Sequence, residues 1–431
     1  MTSRRTFAAT LLTALLLGFT PTPASTQGSS VTFSGSVSAI GLLTHATGTP
    51  QGRSLTEAYL TQPILGAELR SSWFEFVGLL NLEGLTLSRG ELDAGAWGEG
   101  YVDRRHPHAY AHELMAGIWS SRGPIVASIY AGRGFVPFGS DDPMVRPFVS
   151  YPVDHHLAQI LERLVVVGAL RGGPVVVEAA GFNGDEPVDP SAAPLARRFG
   201  DSWAIRGTLL GERLFSPLAG AELAMSYATV KSPEYREGFG LDQRKSHLGV
   251  RWSGQSGSFT RYALLEAART VDVDRGRELY TFDALLSEAA VCRGDVGIAG
   301  RWERSDRPEE ERLLDLFRVA RPATDLSVLG VTEWTTLSAA AALPTLSIAV
   351  ARAAPFVEVA HISANRTSAA VFDPVRFYGS DFMWRFSAGV RVAAGHAHGR
   401  MGRYGVASVA SVVPVRQMSH EHAPVGGRCF S

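Results

Sequence analysis

Cysteine, net charge and long apolar runs are all scarce in this chain, and each scarcity excludes something. Two cysteines, Cys292 and Cys429, in 431 residues rule out a disulfide-dense scaffold. A formal net charge of -1 leaves no global basic field with which to hold nucleic acid. Beyond the N-terminus no stretch approaches the ~20 apolar residues of a spanning helix. Leu164 to Leu170, among the longest, is only strand-sized. No Gly-rich phosphate loop or Cys-x-x-Cys pair is present. Hydrophobic residues at 45% and charged residues at 19% still mark a folded chain rather than a disordered one.

The N-terminus is readable on its own. Arg4 and Arg5 give a positive start, Phe7 to Phe19 an apolar stretch, and Pro21, Pro23, Ala24, Ser25 and Thr26 a small-residue cleavage region. This is the plan of a cleaved secretory signal over residues 1–27. Ser3 to Phe7 also resembles a twin-arginine signal. That pathway carries folded cargo, which suits a barrel poorly, so the arginines are read as an ordinary basic start. The exported chain is then a soluble protein or a closed barrel, the two forms that satisfy its backbone.

Period-two patterning favours the barrel. Trp203, Ile205, Gly207 and Leu209 oppose Arg206, Thr208 and Glu212; Leu248, Val250 and Trp252 oppose His247, Gly249, Arg251 and Ser253. Val296, Ile298 and Trp302 oppose Ala299, Arg301 and Glu303. Phe382, Trp384, Phe386, Ala388, Val390 and Val392 oppose Arg385, Ser387, Gly389 and Arg391. Charges and glycine on one face with aromatics on the other fit a wet lumen and a lipid-facing girdle. Sandwiches and propellers alternate too, but these segments are longer than the usual five or six residues. Short connections (Ser71-Ser72, Ser121 to Gly123, Arg171 to Gly173, Ser216-Pro217, Gly254 to Gly257, Cys292 to Asp295, Leu343 to Thr345) also take turns with long polar stretches. The count is about sixteen strands between Val31 and Ala394, within a range of fourteen to eighteen, because Phe259 to Arg269 and Thr281 to Val291 alternate poorly. The expected fold is an all-β transmembrane antiparallel barrel over 28–395 in a bacterial outer membrane. The tail 396–431 is expected in the periplasm, and Pro308 to Arg321, with helical spacing, as a short helix in an extracellular loop.

Ile129-Tyr-Ala-Gly-Arg-Gly-Phe-Val-Pro-Phe-Gly139 resembles the strand-to-loop signature of porins of the phosphate-selective type, and Pro355-Phe-Val-Glu-Val359 is similar to one of their late strands. The resemblance implies a sixteen-stranded channel with a loop folded inward, and commonly a homotrimer. The lysine-rich lumen behind phosphate selectivity is not evident, since acids and bases nearly balance, so that selectivity is not carried over. The C-terminus also departs from many outer-membrane barrels, which end on a strand with a final aromatic residue.

The charged lumen candidates are Arg133, Arg206, Glu212, Arg251, Arg301, Glu303, Arg385 and Arg391. Within the loop Phe135 to His156, Asp141, Asp142 and Arg146 would make a constriction of opposed charges if the loop turns inward. Histidines form the second group: His106, His108 and His112, then His155 and His156, then His396, His398, His420 and His422 in a tail that also holds Met401, Met418 and Cys429. Such donors suit copper or zinc, although the spacings match no established metal motif and hydrogen bonding within the loops is the simpler role. Tail residues Gly402 to Val406 and Val409 to Val415 could alternatively form a plug or pack against a partner. Cys292, in a periplasmic turn, and Cys429 could pair in that oxidising compartment or stay as free thiols. Ser150, Asp154 and His155 lie close together, but no signature supports a nucleophile, and no catalytic residues are expected.

The expectation is therefore a passive diffusion channel for small polar solutes or ions, with lipid around it, no resident cofactor and no nucleic acid. The alternatives are a metal-binding protein accessory to copper or zinc handling or efflux, and a non-conducting adhesin or scaffold barrel.

Overall fold

The computed structural model describes residues 31–49, 53–87, 108–152, 155–187, 189–310, 328–348, 350–367, 375, 380–395, 401–404 and 429–430. The signal segment and the helix expected beyond Glu310 lie outside them. Strands account for most of the fold: β1 (Thr32–Thr49), β2 (Arg53–Arg70), β3 (Phe74–Asn81), β4 (Ala111–Arg122), β5 (Ile125–Gly134) and β6 (Arg163–Gly172). Next come β7 (Val175–Phe182), β8 (Ser202–Leu210), β9 (Ala221–Val230), β10 (Asp242–Ser256), β11 (Phe259–Asp274) and β12 (Arg277–Arg293). The wall ends with β13 (Val296–Glu310), β14 (Val328–Ala342), β15 (Leu346–Ile348), β16 (Ala351–Thr367) and β17 (Phe382–Gly395). Each pairs antiparallel with its neighbour, and β1 pairs with both β2 and β17, from Ser36↔Gly395 to Ala46↔Arg385. The sheet is closed. β15 is a three-residue stub on β16, and β14 pairs with β16 directly, so sixteen strands form the wall.

Closure satisfies the ladder without an open edge, which is the condition for spanning lipid with strands. The side chains divide accordingly. Ile118, Ile129, Leu170, Trp203, Leu248, Leu265, Ile298, Leu337 and Phe386 point outward as an apolar belt, while Glu178, Arg206, Glu266, Arg301 and Arg385 are buried inside. Trp203, Tyr227 and Trp384 stand outward near the end of the wall that carries the long loops, and Trp73 marks the other. These are the girdles of an outer-membrane barrel. At the short-turn end Gly123, Gly173, Gly257 and Gly294 take φ of 59, 59, 59 and 61°, left-handed values that glycine adopts without steric cost.

The poorly alternating stretches are regular strands. β11 and β12 alternate in burial along nearly their full length, but Tyr262, Leu264, Leu286 and Ala290 are among the residues facing in. Their inner face is partly apolar because the lumen is filled rather than wet throughout. Pro308 to Glu310, expected to open a helix, instead extend β13, where Pro308 pairs opposite Val331. Continuing the ladder satisfies backbone groups that a local helix would have to satisfy alone.

Two elements enter the barrel. The connection from Phe135 to Glu162 folds inward, with a 3-10 turn at Pro143–Val145 and a short helix, α1 (His155–Ala158). The described tail residues, Met401 to Tyr404 with Cys429 and Phe430, lie inside too. Phe135, Phe138, Ile160, Met401 and Tyr404 pack with Met115, Tyr130, Val165 and Phe182 of the wall. Phe148, Cys429 and Phe430 pack with Tyr262, Leu264, Leu286 and Cys292. Apolar burial at about 25 cal/mol per Å² drives both insertions.

Candidate functional site: the charged interior

Gly139 seats the inward loop. Its φ is +77°, and a Cβ there would stand 1.6 Å from the Ala158 carbonyl oxygen, so two runs of the loop approach as only glycine permits. Beyond it the loop crosses to the far wall. Asp141 Oδ2 lies 3.0 Å from Arg251 Nε of β10. Arg146 donates from Nε to the Asp141 carbonyl (3.0 Å) and from Nη2 to Ser140 Oγ (2.6 Å), and pairs with Glu266 of β11 at 3.5 Å. Glu266 also accepts from Ser140 Oγ and lies 2.9 Å from His247 Nε2. Asp142 turns back on its own chain, accepting from the Met144 N–H at 2.8 Å and capping the 3-10 turn.

Further along, Glu358 of β16 receives the Val149 N–H (2.6 Å), the Ser150 N–H (3.2 Å) and the Ser150 hydroxyl (2.5 Å). Arg301 donates to the Ser150 carbonyl at 2.8 Å, lies 3.5 Å from Glu288 and 3.6 Å from Glu303, and places its guanidinium over the Phe148 ring. Arg391 donates to the Pro147 carbonyl at 2.8 Å and to the Phe430 carbonyl. Arg385 is buried on the same inner face of β17. Ser150 is thus a loop anchor, with its hydroxyl given to a carboxylate.

The tail completes the interior. Arg206 forms a bidentate pair with Glu178 (2.6 and 2.7 Å) and donates to the Gly139 carbonyl of the loop and the Gly402 carbonyl of the tail. Arg403 lies 3.1 Å from Glu222 and 3.5 Å from Glu178. Tyr404 donates to Glu113 at 2.6 Å and accepts the Phe135 N–H at 3.0 Å; burial, with Glu113 beside it, pushes its phenol well above the ordinary value. Cys292 and Cys429 are joined as a disulfide with Cα atoms 6.0 Å apart, holding the chain end against the inner wall.

Two candidates fall outside this interior. Arg133 has the outward parity of Ile129 in β5, and its Nη1 donates at 2.9 Å to the Ala192 carbonyl of the next long connection. Glu212 lies in the 3-10 turn Gly211–Arg213 between β8 and β9, exposed at the short-turn end, because the chain leaves the strand at Leu210. Sequence reading passed over Glu178, Glu222, Glu266 and Glu288, the carboxylates that pair with arginines, and Glu358, which holds the loop backbone. Each sits at an inward position of its strand, and an alternation carried through β7, β11 and β12 would have exposed three of them.

The histidines divide in the same way. His108 and His112 converge on Glu162, a residue not singled out from the sequence, and form the one His/Cys/Asp/Glu group of metal-ligand size among the described residues. His155 and His156 open α1; His106, His396, His398, His420 and His422 lie outside the described residues.

No protein-family model matches the chain, and no curated protein matches it in sequence. Among solved structures, the chain is similar to an anion-selective porin from Comamonas acidovorans at 11% identity, covering 86% of this chain and 100% of that one, with a TM-score of 0.48. OmpT of Vibrio cholerae, in a form lacking loop L8, is 9% identical over 84% of this chain and 99% of that one, at a TM-score of 0.45. OccK2 of Pseudomonas aeruginosa, in complex with glucuronate, is 9% identical over 85% and 98%, at 0.39. The architecture itself rests on the β1–β17 closure and the alternation of the wall.

Proposed function

We propose that this barrel is a porin-like channel for passive diffusion of small polar solutes or ions, narrowed by the loop from Phe135 to Glu162. One observation carries the reading: the loop brings Asp141 and Arg146 across the lumen to Arg251 and Glu266, so opposed charges meet at one level. Charges arranged around a constriction set which ions pass. Glu178, Glu222, Glu266, Glu288 and Glu358 face Arg146, Arg206, Arg251, Arg301 and Arg385, and this mixture supports modest selectivity of either sign. Lys231 and Lys245 are the chain's lysines, so no lysine ladder supports phosphate selectivity.

The burial of Arg206, Arg301 and Arg385, together with the described tail residues inside the barrel, supports a second reading in which the resting barrel is closed. Single-channel recording of the refolded mature chain in a planar bilayer, beside a chain ending at residue 400, separates the two. Steady conductance from the full chain supports the open channel. Conductance from the shortened chain alone supports a tail-blocked channel. A correctly folded barrel silent in both forms overturns the channel and leaves a scaffold or adhesin. A homotrimer belongs to the same proposal and is tested by the mass of the native protein in detergent.

A further inference from the structure

His108, His112 and Glu162 meet at the long-loop mouth of the barrel, where the inward loop rejoins the wall. His108 precedes β4, His112 is its second residue, at a bulge in the β3–β4 pairing, and Glu162 immediately precedes β6. Glu162 Oε1 lies 3.2 Å from His108 Nδ1 and 2.7 Å from His112 Nδ1. The Ala109 N–H reaches both carboxylate oxygens, at 3.1 and 3.2 Å. One oxygen is therefore approached by three donors. An ionised carboxylate only accepts, so both rings carry their proton on Nδ1. Burial alone would raise the Glu162 carboxyl; the bonds from His108 and His112 reverse this and hold it well below the usual carboxylate range.

The neighbouring atom is left over. His112 Nε2 is buried and has no hydrogen-bond partner among the described residues. Coordination through Nδ1 would move the ring proton to Nε2, so this nitrogen is not itself a ligand and shows only that the buried His112 ring is incompletely satisfied.

We propose that His108, His112 and Glu162 bind a divalent transition-metal ion of the zinc class. Two imidazoles and a carboxylate are a recognised borderline ligand set, and a fourth position would be left for water. Bonds of about 2.0–2.1 Å in a tetrahedron separate ligand atoms by about 3.3 Å. The nitrogen-to-oxygen separations of 3.2 and 2.7 Å are at or somewhat under that spacing, as expected where shared protons stand in for a cation. All three ligand atoms lie within 4.8 Å of one another, so small side-chain movements complete the set. Asp142 and Glu113 add negative potential at the His112 ring, and Arg133, which acts on Glu162, offsets part of it. The ion would tie the root of the inward loop to β4. Phe135 of that loop stands edge-on to His112 at 5.1 Å, and Tyr151 is tilted against His108 at 6.1 Å.

The test is calorimetric titration of the folded, mature full-length protein with zinc chloride, beside four variants. His108→Gln, His112→Gln and Glu162→Gln each remove one ligand. The fourth changes His396, His398, His420 and His422 together to Gln. Heat-modifiable gel migration checks that each is folded, and His108→Gln, at the least enclosed position, carries the test if the buried variants fail to fold. The expected result is one ion per chain, affinity reduced at least tenfold by each single change, and a site that survives the fourfold change. Absence of binding at millimolar zinc overturns the proposal. So does binding that persists in folded His108→Gln or disappears only in the fourfold variant, which would assign the ion to the tail.

Discussion

Arg146→Ala is the sharpest probe of the inward loop. The guanidinium is buried, with hydrogen bonds of 3.0 and 2.6 Å to the loop and an ion pair of 3.5 Å to the wall. Removing one member of a buried pair costs roughly 3–5 kcal/mol, largely because the other charge stays uncompensated. Here the lower end applies, since Glu266 keeps His247 at 2.9 Å and Ser140. About 3 kcal/mol is more than a hundredfold in the docked-to-undocked ratio of this arm. The rest of the loop keeps its grip through Glu358, Arg301 and Arg206, so the arm from Ser140 to Arg146 should loosen while the barrel stays folded. Urea unfolding in vesicles should report the loss, and single-channel recording should show higher or noisier conductance. Glu266→Gln in the Arg146→Ala background should cost less than it does alone, with a coupling of about 1–3 kcal/mol, because its pairing with Arg146 is already gone. Arg146→Ala within about 0.5 kcal/mol of wild type, with unchanged conductance, would refute the reasoning.

Gly139→Ala forces a side chain into a left-handed φ and onto the Ala158 carbonyl; more than about 2 kcal/mol should be lost, with release of the loop detected as faster proteolysis within it. Replacing both Cys292 and Cys429 by Ser opens a covalent loop spanning 137 residues, worth at most about 5 kcal/mol by chain entropy, so the urea midpoint should fall in the oxidised comparison and wild type plus a dithiol should match the variant. The Glu162 carboxyl is held below its ordinary value, so its contribution is complete above that value, about pH 4.3, and declines as pH falls from there toward its folded-state pKa. Unfolding midpoints of wild type should therefore drop more steeply than those of Glu162→Gln as pH falls below about 4.3; equal slopes there would remove the carboxyl from the account.

Strand after strand was legible because lipid imposes a simple rule on the outer face. Trp203, Leu248, Ile298 and Phe386 obey it regardless of what lies inside. Legibility failed where the interior departs from a water-filled lumen. Leu264 and Leu286 face in because Phe148 and Phe430 meet them there, so apolar residues occupy both faces of β11 and β12 and the alternation fades. The arginines were visible as isolated charges. Their carboxylate partners were not, since pairs such as Arg206 with Glu178 are set by strand register across the sheet. Arg133 misled because a residue at a strand end can satisfy itself against a neighbouring loop instead of the lumen. The His108, His112 and Glu162 cluster spans a fold-back of about fifty residues, a separation that no local spacing reports. The tail illustrates the same limit. Its position inside the wall depends on Arg206, Glu113 and Cys292, each far away along the chain.

A tail held inside the wall also constrains how such a barrel can be made. Tyr404 and Gly402 follow the last strand in sequence, yet touch groups on β4, β5 and β8 from within. The seam between β1 and β17 encloses residues synthesised after both of its edges. If the seam closed first, the tail would have to thread into a finished cylinder past a loop that already fills it. Entry of the tail before or during closure avoids that passage, and it places oxidation of Cys292 with Cys429 late, as the step that locks a completed arrangement. Assembly would then run from wall hairpins, to loop and tail packing on the open sheet, to the seam, to the covalent lock.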